Sequence, residues 1–335
     1  MFGIGFAIQL NRLEQRGEGV PRYLRRLAVL FLIGLAHIFL LWLGDIVALY
    51  ALMGTVLLLF RKVGDRWLLR WAVIMWLIPI AWSAAMHFGG FKPADPIYAQ
   101  GESMIVSMGF DISKGPMPFF AEAPLTDHLR VHRAEAFFRL GDLFYQMRFT
   151  KVLGMFLIGL WVGRHAVYSN LDRYRPLLKK VATIGLGLGL PLAAAKAYFT
   201  MTSGRDEGLQ FVTEVFYVLS TPTLAIGYAA GFALLWARGR GGLLEWAAPA
   251  GQMALTNYLM QTVIQSVLFY GWGFGLIGKF GLIFTIPFTL VIFAVQIAYS
   301  RWWLAHFRFG PVEWLWRSLT YGRAQPMRLD TAAPA

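Results

Sequence analysis

Cysteine is absent from all 335 residues, which removes disulfides, thiolate metal ligands and a thiol nucleophile from the available chemistry. Charge is scarce too: Asp, Glu, Lys and Arg make up 15% of the chain, against about 25% in ordinary soluble domains. Acidic groups are the rarer sign, 18 against 31 basic residues. No HExxH, P-loop or GxSxG pattern occurs, so neither a resident metal nor a bound cofactor is expected. What fills the chain instead is apolar, with 57% hydrophobic residues and a mean hydropathy of +0.54. Such a composition belongs to a multi-span helical membrane protein, and spans of about 20 residues each leave little chain for a second, soluble domain. The expected fold class is all-α, a polytopic helical bundle forming one membrane domain over residues 1–335.

A net charge of +13 would suggest nucleic acid in a soluble protein. Here the basic residues cluster beside hydrophobic spans, where they orient the chain against an anionic leaflet. The expected partner is therefore the lipid bilayer, and no nucleic acid.

Residues 1–10, MFGIGFAIQL, are apolar but too short to span and read as the end of a helix. After a polar run from Asn11 to Arg26, span 1 covers Leu27 to Leu43, span 2 Ile46 to Phe60 and span 3 about Trp67 to Phe88. Residues 89–148 form the longest polar insertion, acidic in its first half, which makes it an external loop, on the side opposite the basic cytoplasmic loops. Its second half, about Asp127 to Met147, reads as an amphipathic helix lying on a membrane surface, with His128 and His132 as a wet surface pair. Span 4 follows at about Phe149 to Tyr168, span 5 at Val181 to Met201, span 6 at Phe211 to Ala237, span 7 at Ala248 to Tyr270 and span 8 at Phe280 to Trp303. Spans 4 to 8 and a C-terminal motif thus fill residues 149–322. Every alternate loop is basic, so the positive-inside rule gives about eight spans with both termini in the cytoplasm. The tail after Met327 is expected to be disordered.

The first candidate site lies in the stretch GLAHIFLLWLGDIVALYAL, Gly34 to Leu52, which sets a histidine and an aspartate among residues suited to lipid. A charge at mid-bilayer depth costs about 2.5 to 3.5 kcal/mol even on a lenient scale, so each needs a partner or a task. His37 is the one histidine of six well inside a span, and it is the candidate general base. The alternative is a neutral ring bonded to a facing carbonyl. On a straight helix Asp45 would stand about 12 Å from His37 along the axis, too far for a hydrogen bond, so its expected role is to orient an acceptor or close the outer end of a cavity.

Three further stretches carry candidates. In span 7, Asn257, Gln261 and Gln265 recur four residues apart and stack their amides on one face, either as bonds between helices or as the lining of a substrate cavity. Lys196, the lysine inside span 5, is a substrate-binding candidate, or else the partner of Glu214 in a structural ion pair. In HFRFGPVEWLWRSLTYG, His306 to Gly322, Pro311 suits the first turn of a short helix and Glu313 its positive end. That helix either rests on the membrane surface or offers Arg308 and Arg317 to a phosphate of a cytosolic donor.

Four segments, MFGIGF, HIFLLWLGDIVALYAL, GQMALTNYLMQTVIQSVLFYG and FGPVEWLWRSLTYG, together resemble the YeiB-like family of uncharacterised bacterial membrane proteins, whose C-terminal part is the domain of unknown function 418 (DUF418). The resemblance covers nearly the whole chain. That family is distantly similar to transmembrane acyltransferases, among them a lysosomal enzyme acetylating heparan glucosamine and bacterial enzymes that acylate envelope sugars. The resemblance implies transfer of an acyl group from a cytosolic thioester, an acyl-CoA-type donor, to an envelope sugar or lipid, with a small-molecule, lipid or glycan substrate as partner and the protein in the bacterial cytoplasmic (inner) membrane. The alternatives are a small-solute transporter, against which the lack of repeat symmetry around Pro79 and Pro222 counts, and a non-catalytic assembly protein. Family members begin with a further segment carrying a DxxRG-like motif and one or two spans. This sequence, starting at the FGIGF stretch, is expected to lack it.

Overall fold

A computed structural model describes residues 1–17, 19–111, 113, 115–202, 204, 206–239 and 242–329. The predicted tail lies outside them from residue 330 on. Among the described residues the chain is all-α, with an isolated bridge between Phe307 and Arg328 as its only β pairing. The helices are α1 (Phe2–Gln15), α2 (Gly19–Leu40), α3 (Val47–Leu57), α4 (Asp65–Phe88), α5 (Asp95–Ser107), α6 (Pro116–Glu122), α7 (Leu125–Tyr145), α8 (Arg148–Arg164), α9 (Arg175–Thr202), α10 (Glu207–Ala237), α11 (Gly242–Gln252), α12 (Ala254–Phe269), α13 (Thr285–Leu304) and α14 (Pro311–Tyr321). Among the described helices, α2, α4, α9 and α10 are each long and apolar enough to cross a membrane. The architecture is that of an all-α membrane helical bundle.

Several boundaries differ from those the sequence suggests. Span 1 becomes α2 and stops at Leu40, where the amides of Leu41 and Trp42 both turn back to the His37 carbonyl, each at 2.9 Å. Span 7 is broken in two: α11 ends at Gln252, Met253 leaves helical geometry (φ −104°, ψ 32°), and α12 begins at Ala254. Residues 89–148 hold α5 and α6 as well as α7.

The chain divides into two compact units. Unit 1 comprises Met1–Tyr23, Tyr50–Asp95 and Asp142–Gly242; unit 2 comprises Leu24–Leu49, Pro96–Gly141 and Leu243–Ala335, as far as it is described. In unit 1, α9 and α10 form the most extensive helix pair. A Cβ built on Gly185 of α9 would meet the Gly227 Cα of α10 at 2.6 Å, so glycine there is what lets two backbones touch, as small residues do at helix interfaces in lipid. The Arg164 guanidinium of α8 donates to the carbonyls of Phe60, Arg61 and Val63 at 2.6 to 2.9 Å, satisfying the open end of the helical stretch that continues α3. Lys151 bonds Glu214 at 2.7 Å and sits over the Tyr217 ring at 4.5 Å.

Unit 2 is built differently. Gly34 of α2 lies so close to Ala48 of α3 that a Cβ would collide with the Ala48 amide, and this contact folds the hairpin of α2 and α3 tightly. Helix α7 is inverted relative to a surface helix. His128, His132, Glu135 and Arg139, spaced four, three and four residues apart, are all buried, while Leu125, Leu129 and Leu140 are exposed. The expectation of a wet His128–His132 pair is thereby corrected. A helical period fixes that two faces differ, not which one turns inward.

Candidate functional site

The candidate site grows from the turn after α2. Because the helix ends at Leu40, residues 41 to 46 reverse the chain and return Asp45 to His37. Asp45 Oδ1 lies 2.9 Å from His37 Nδ1, and both residues are 1% exposed. The separation expected on a straight helix is corrected to a direct hydrogen bond, and the turn is the reason. Asp45 Oδ2 accepts from the Ala48 amide at 2.6 Å, placing the carboxylate at the positive end of α3. The turn is pinned from two other helices: Arg139 of α7 donates to the Asp45 carbonyl, and Tyr258 Oη of α12 accepts from the Ile46 amide at 3.1 Å. Tyr258 also sets its ring edge against the imidazole, with centroids 5.1 Å apart.

The second ring nitrogen faces α12. His37 Nε2 lies 3.0 Å from Thr262 Oγ1, a residue 7% exposed. A carboxylate only accepts, so Nδ1 carries a proton; in the neutral ring Nε2 then offers its lone pair, to which the Thr262 hydroxyl can donate. A histidine held by a carboxylate on one nitrogen and turned to a hydroxyl with the other is arranged to take a proton from oxygen.

Beside this lies the buried stripe of α7. His132 Nδ1 bonds Glu135 Oε2 at 2.7 Å. One turn earlier, His128 is 2% exposed, and neither of its ring nitrogens has a hydrogen-bond partner. It stacks on Tyr270 with centroids 4.7 Å apart and a 7° tilt, and lies 4.8 Å from the Phe119 ring. This burial pushes the His128 imidazole below its ordinary range; Glu135 raises it in part, His132 lowers it further and Asp127 raises it. Among the described residues no group of three or more His, Asp or Glu side chains is placed to hold a metal.

The amides of α12 go in different directions. Asn257 Nδ2 donates to the Ala250 carbonyl at 3.0 Å, across the break between α11 and α12, and to Ser300 Oγ of α13 at 2.9 Å. Gln261 Nε2 donates to Gln296 Oε1 at 2.8 Å, and Gln296 Nε2 to the Asn257 carbonyl at 2.9 Å. These bonds tie α12 to α13. Asn257 Oδ1 is buried without a hydrogen-bond partner, whereas Gln265 is exposed. Lys196 belongs to α9 of unit 1 and is half-buried; its expected pairing with Glu214 is corrected, since Glu214 bonds Lys151 instead.

The C-terminal motif packs within unit 2. Glu313 accepts from the amides of Leu255 at 2.7 Å and Thr256 at 3.0 Å and from Thr256 Oγ1 at 2.5 Å, so α14 caps the start of α12. Trp316 Nε1 donates to the Arg26 carbonyl at 2.9 Å, and the Arg26 guanidinium lies 3.8 Å over the Trp316 ring. Arg317 sits over Phe309 at 4.4 Å. Exposed Arg308 donates through Nε to the Arg328 carbonyl at 3.1 Å. His306 is exposed, and its Nδ1 bonds the Trp302 carbonyl at 2.8 Å.

The sequence singled out His37 and Asp45 but missed Thr262, Tyr258, Glu135 and Arg139. Threonine and tyrosine are ordinary in membrane spans and gave no signal. The four-three-four spacing along α7 was a visible stripe, assigned to the wrong side of its helix. A cavity of about 350 Å³ in unit 1, lined by Ser83, His87, Tyr145, Gln210 and Glu214 among others, includes none of the candidate catalytic or binding residues.

Fold and site define an all-α membrane protein with a buried histidine–aspartate pair in a polar core. A family profile described as "Protein of unknown function (DUF418)" matches residues 162–323. The protein YxaH of Bacillus subtilis (strain 168), described as uncharacterised, is 32% identical over 99% of this chain and 80% of its own length. YeiB of Escherichia coli (strain K12), likewise described, is 29% identical over 97% of this chain and 82% of its own. An uncharacterised 39.9 kDa protein in the amylase 3' region of Bacillus acidopullulyticus is 25% identical over 99% and 81%. The chain belongs to the YeiB-like DUF418 family. No solved structure matches it.

Proposed function

We propose that this protein is a transmembrane acyltransferase of the bacterial cytoplasmic membrane, with both termini in the cytoplasm, moving an acyl group from a thioester donor to a hydroxyl or amine of an envelope sugar or lipid. The observation that carries the reading is the buried pair itself, His37 with Nδ1 on Asp45 and Nε2 turned to a hydroxyl oxygen at 3.0 Å. His37 is the base and Asp45 fixes its tautomer. The unpartnered Oδ1 of Asn257 is an acceptor for a substrate hydroxyl, with Gln261 and Gln265 as further proposed substrate contacts. Arg308 and Arg317 are the proposed contacts for phosphates of an acyl-CoA-type donor. Mass spectrometry of envelope lipids and glycans from cells with and without the full-length gene tests this: an acyl mass difference is expected, and identical profiles would sink the reading.

The stripe of α7 favours one second reading, a small-solute transporter, because buried titratable groups cluster at functional sites, proton-carrying ones among them. Solute accumulation in proteoliposomes driven by an imposed pH gradient, with unchanged envelope acylation, would select it instead.

A further inference from the structure

Thr262 behaves unlike six other helical threonines of this chain, and like Thr256 of the same helix it bonds away from its own backbone. Thr55, Thr200, Thr202, Thr213, Thr223 and Thr289 each donate to the carbonyl one turn back, the usual way a helix absorbs a threonine hydroxyl. Thr262 instead directs its hydroxyl across to His37 Nε2 at 3.0 Å. Asp45 completes the line on the far side of the ring at 2.9 Å. The three residues come from α12, α2 and the turn after α2, so no local backbone preference produces the arrangement. A hydroxyl hydrogen-bonded to a base that a third group orients is the geometry of an activated nucleophile. The chain has no cysteine, and the nucleophile placed against this base is a hydroxyl.

We infer that Thr262 is the acyl carrier of this protein, forming an acyl-threonine ester between donor and acceptor. The inference rests on the acyl-transfer reading above and adds a covalent step to it. In the first half, Thr262 Oγ1 attacks the thioester carbonyl while its proton passes to His37 Nε2. The carbon–sulfur bond then breaks, and the departing sulfur takes that proton and leaves as a thiol. In the second half, the acceptor hydroxyl attacks the acyl-threonine carbonyl and gives its proton to Nε2. The bond from the acyl carbon to Oγ1 breaks, and the proton returns to Thr262. The sum is thioester plus alcohol giving ester plus thiol. Donor and acceptor then use the site in turn and never need to meet, which suits a reaction whose substrates lie on opposite sides of a bilayer.

The test uses the full-length protein in its native membrane, as wild type and as His37→Gln, Thr262→Val and Thr262→Ser. Envelope acylation is read by mass spectrometry, abundance by immunoblot. Membranes are also pulsed with isotopically labelled acetyl-CoA, acid-quenched and digested, and the peptide containing Thr262 is weighed. Valine keeps the shape and removes the nucleophile; serine restores the hydroxyl. The expected result is a loss of at least about a hundredfold in Thr262→Val, substantial recovery in Thr262→Ser, and a labelled acetyl group on Thr262 of the wild type that disappears on chasing with unlabelled donor. Acylation that persists in Thr262→Val but is lost in His37→Gln would overturn the acyl-threonine and leave His37 as base. Should the valine variant fail to insert, an unlabelled wild-type peptide during active turnover overturns it equally. No envelope acylation by the wild type would remove the acyl-transfer reading and this inference together.

Discussion

The two units solve the problem of burial in opposite ways. Among the described residues, the fully buried polar side chains of unit 1 are two serines, Ser83 and Ser220; every other buried polar or charged side chain, from His37 and Asp45 through Glu135 and Arg139 to Gln296 and Thr320, belongs to unit 2. Unit 1 is held by close backbone approach, as at Gly185 and Gly227, and by ring stacking such as Phe2 on Phe156 at 4.4 Å. Unit 2 instead satisfies one buried polar group with another. Polar groups inside a membrane bundle are expensive to keep, and the proposed chemistry draws on those of unit 2.

That contrast can be broken by substitution. The largest effect is expected in unit 2: His37→Gln keeps polarity and approximate volume but removes the base, and should lower acyl transfer by about 10² to 10⁴-fold at unchanged membrane abundance. Transfer at the wild-type rate in the normally expressed full-length variant would refute the catalytic role of His37. Asp45→Asn comes next. The amide can still accept from Ala48, but it can donate to Nδ1 and so favours the tautomer whose Nε2 carries the proton. Activity should fall by at least about tenfold with little change in melting temperature, a split that kinetics and thermal melting in detergent would read together.

In unit 1 the signature should reverse. Gly185→Leu forces a side chain into the Gly227 backbone and should destabilise the protein by about 1–3 kcal/mol, lowering abundance and melting temperature while the rate per folded molecule stays the same. Gln261→Leu tests the border between the two behaviours. If its amide serves to bind α13 through Gln296, the loss should be about 1 kcal/mol in stability; if it also contacts substrate, transfer falls at constant abundance.

The smallest effect concerns pH. The folded His128 has a lowered pKa, so below about 6.5 the unfolded chain takes up a proton that the folded ring resists. Its contribution is therefore fully present above about pH 6.5 and is lost as pH falls from there through the lowered folded value. Melting temperatures measured at about pH 7.5 and 5.5 should differ less in His128→Phe than in the wild type; an equal difference would place the acid sensitivity elsewhere.

The sequence by itself determined the class. Composition and run length fixed an all-α membrane protein, since only helices close their own backbone hydrogen bonds in lipid and long apolar runs have no other place. It also nominated His37 and Asp45, because a titratable group inside an apolar run is conspicuous without any fold. Proline at the start of α14 and glutamate in its first turn made that short helix legible as well. What only the tertiary structure decided is who meets whom. The pairing of His37 with Asp45 depends on a chain reversal after Leu40 that no single residue announces. The inward turn of α7 reverses the sense of a periodicity that reads identically in either orientation. The docking of Glu313 on the first amides of α12, and the turn of the Thr262 hydroxyl toward His37, join residues 58 and 225 positions apart. Spacing along a chain constrains neighbours within a few turns of one helix; contacts between helices are set by how those helices pack, and there the choice of partner is made.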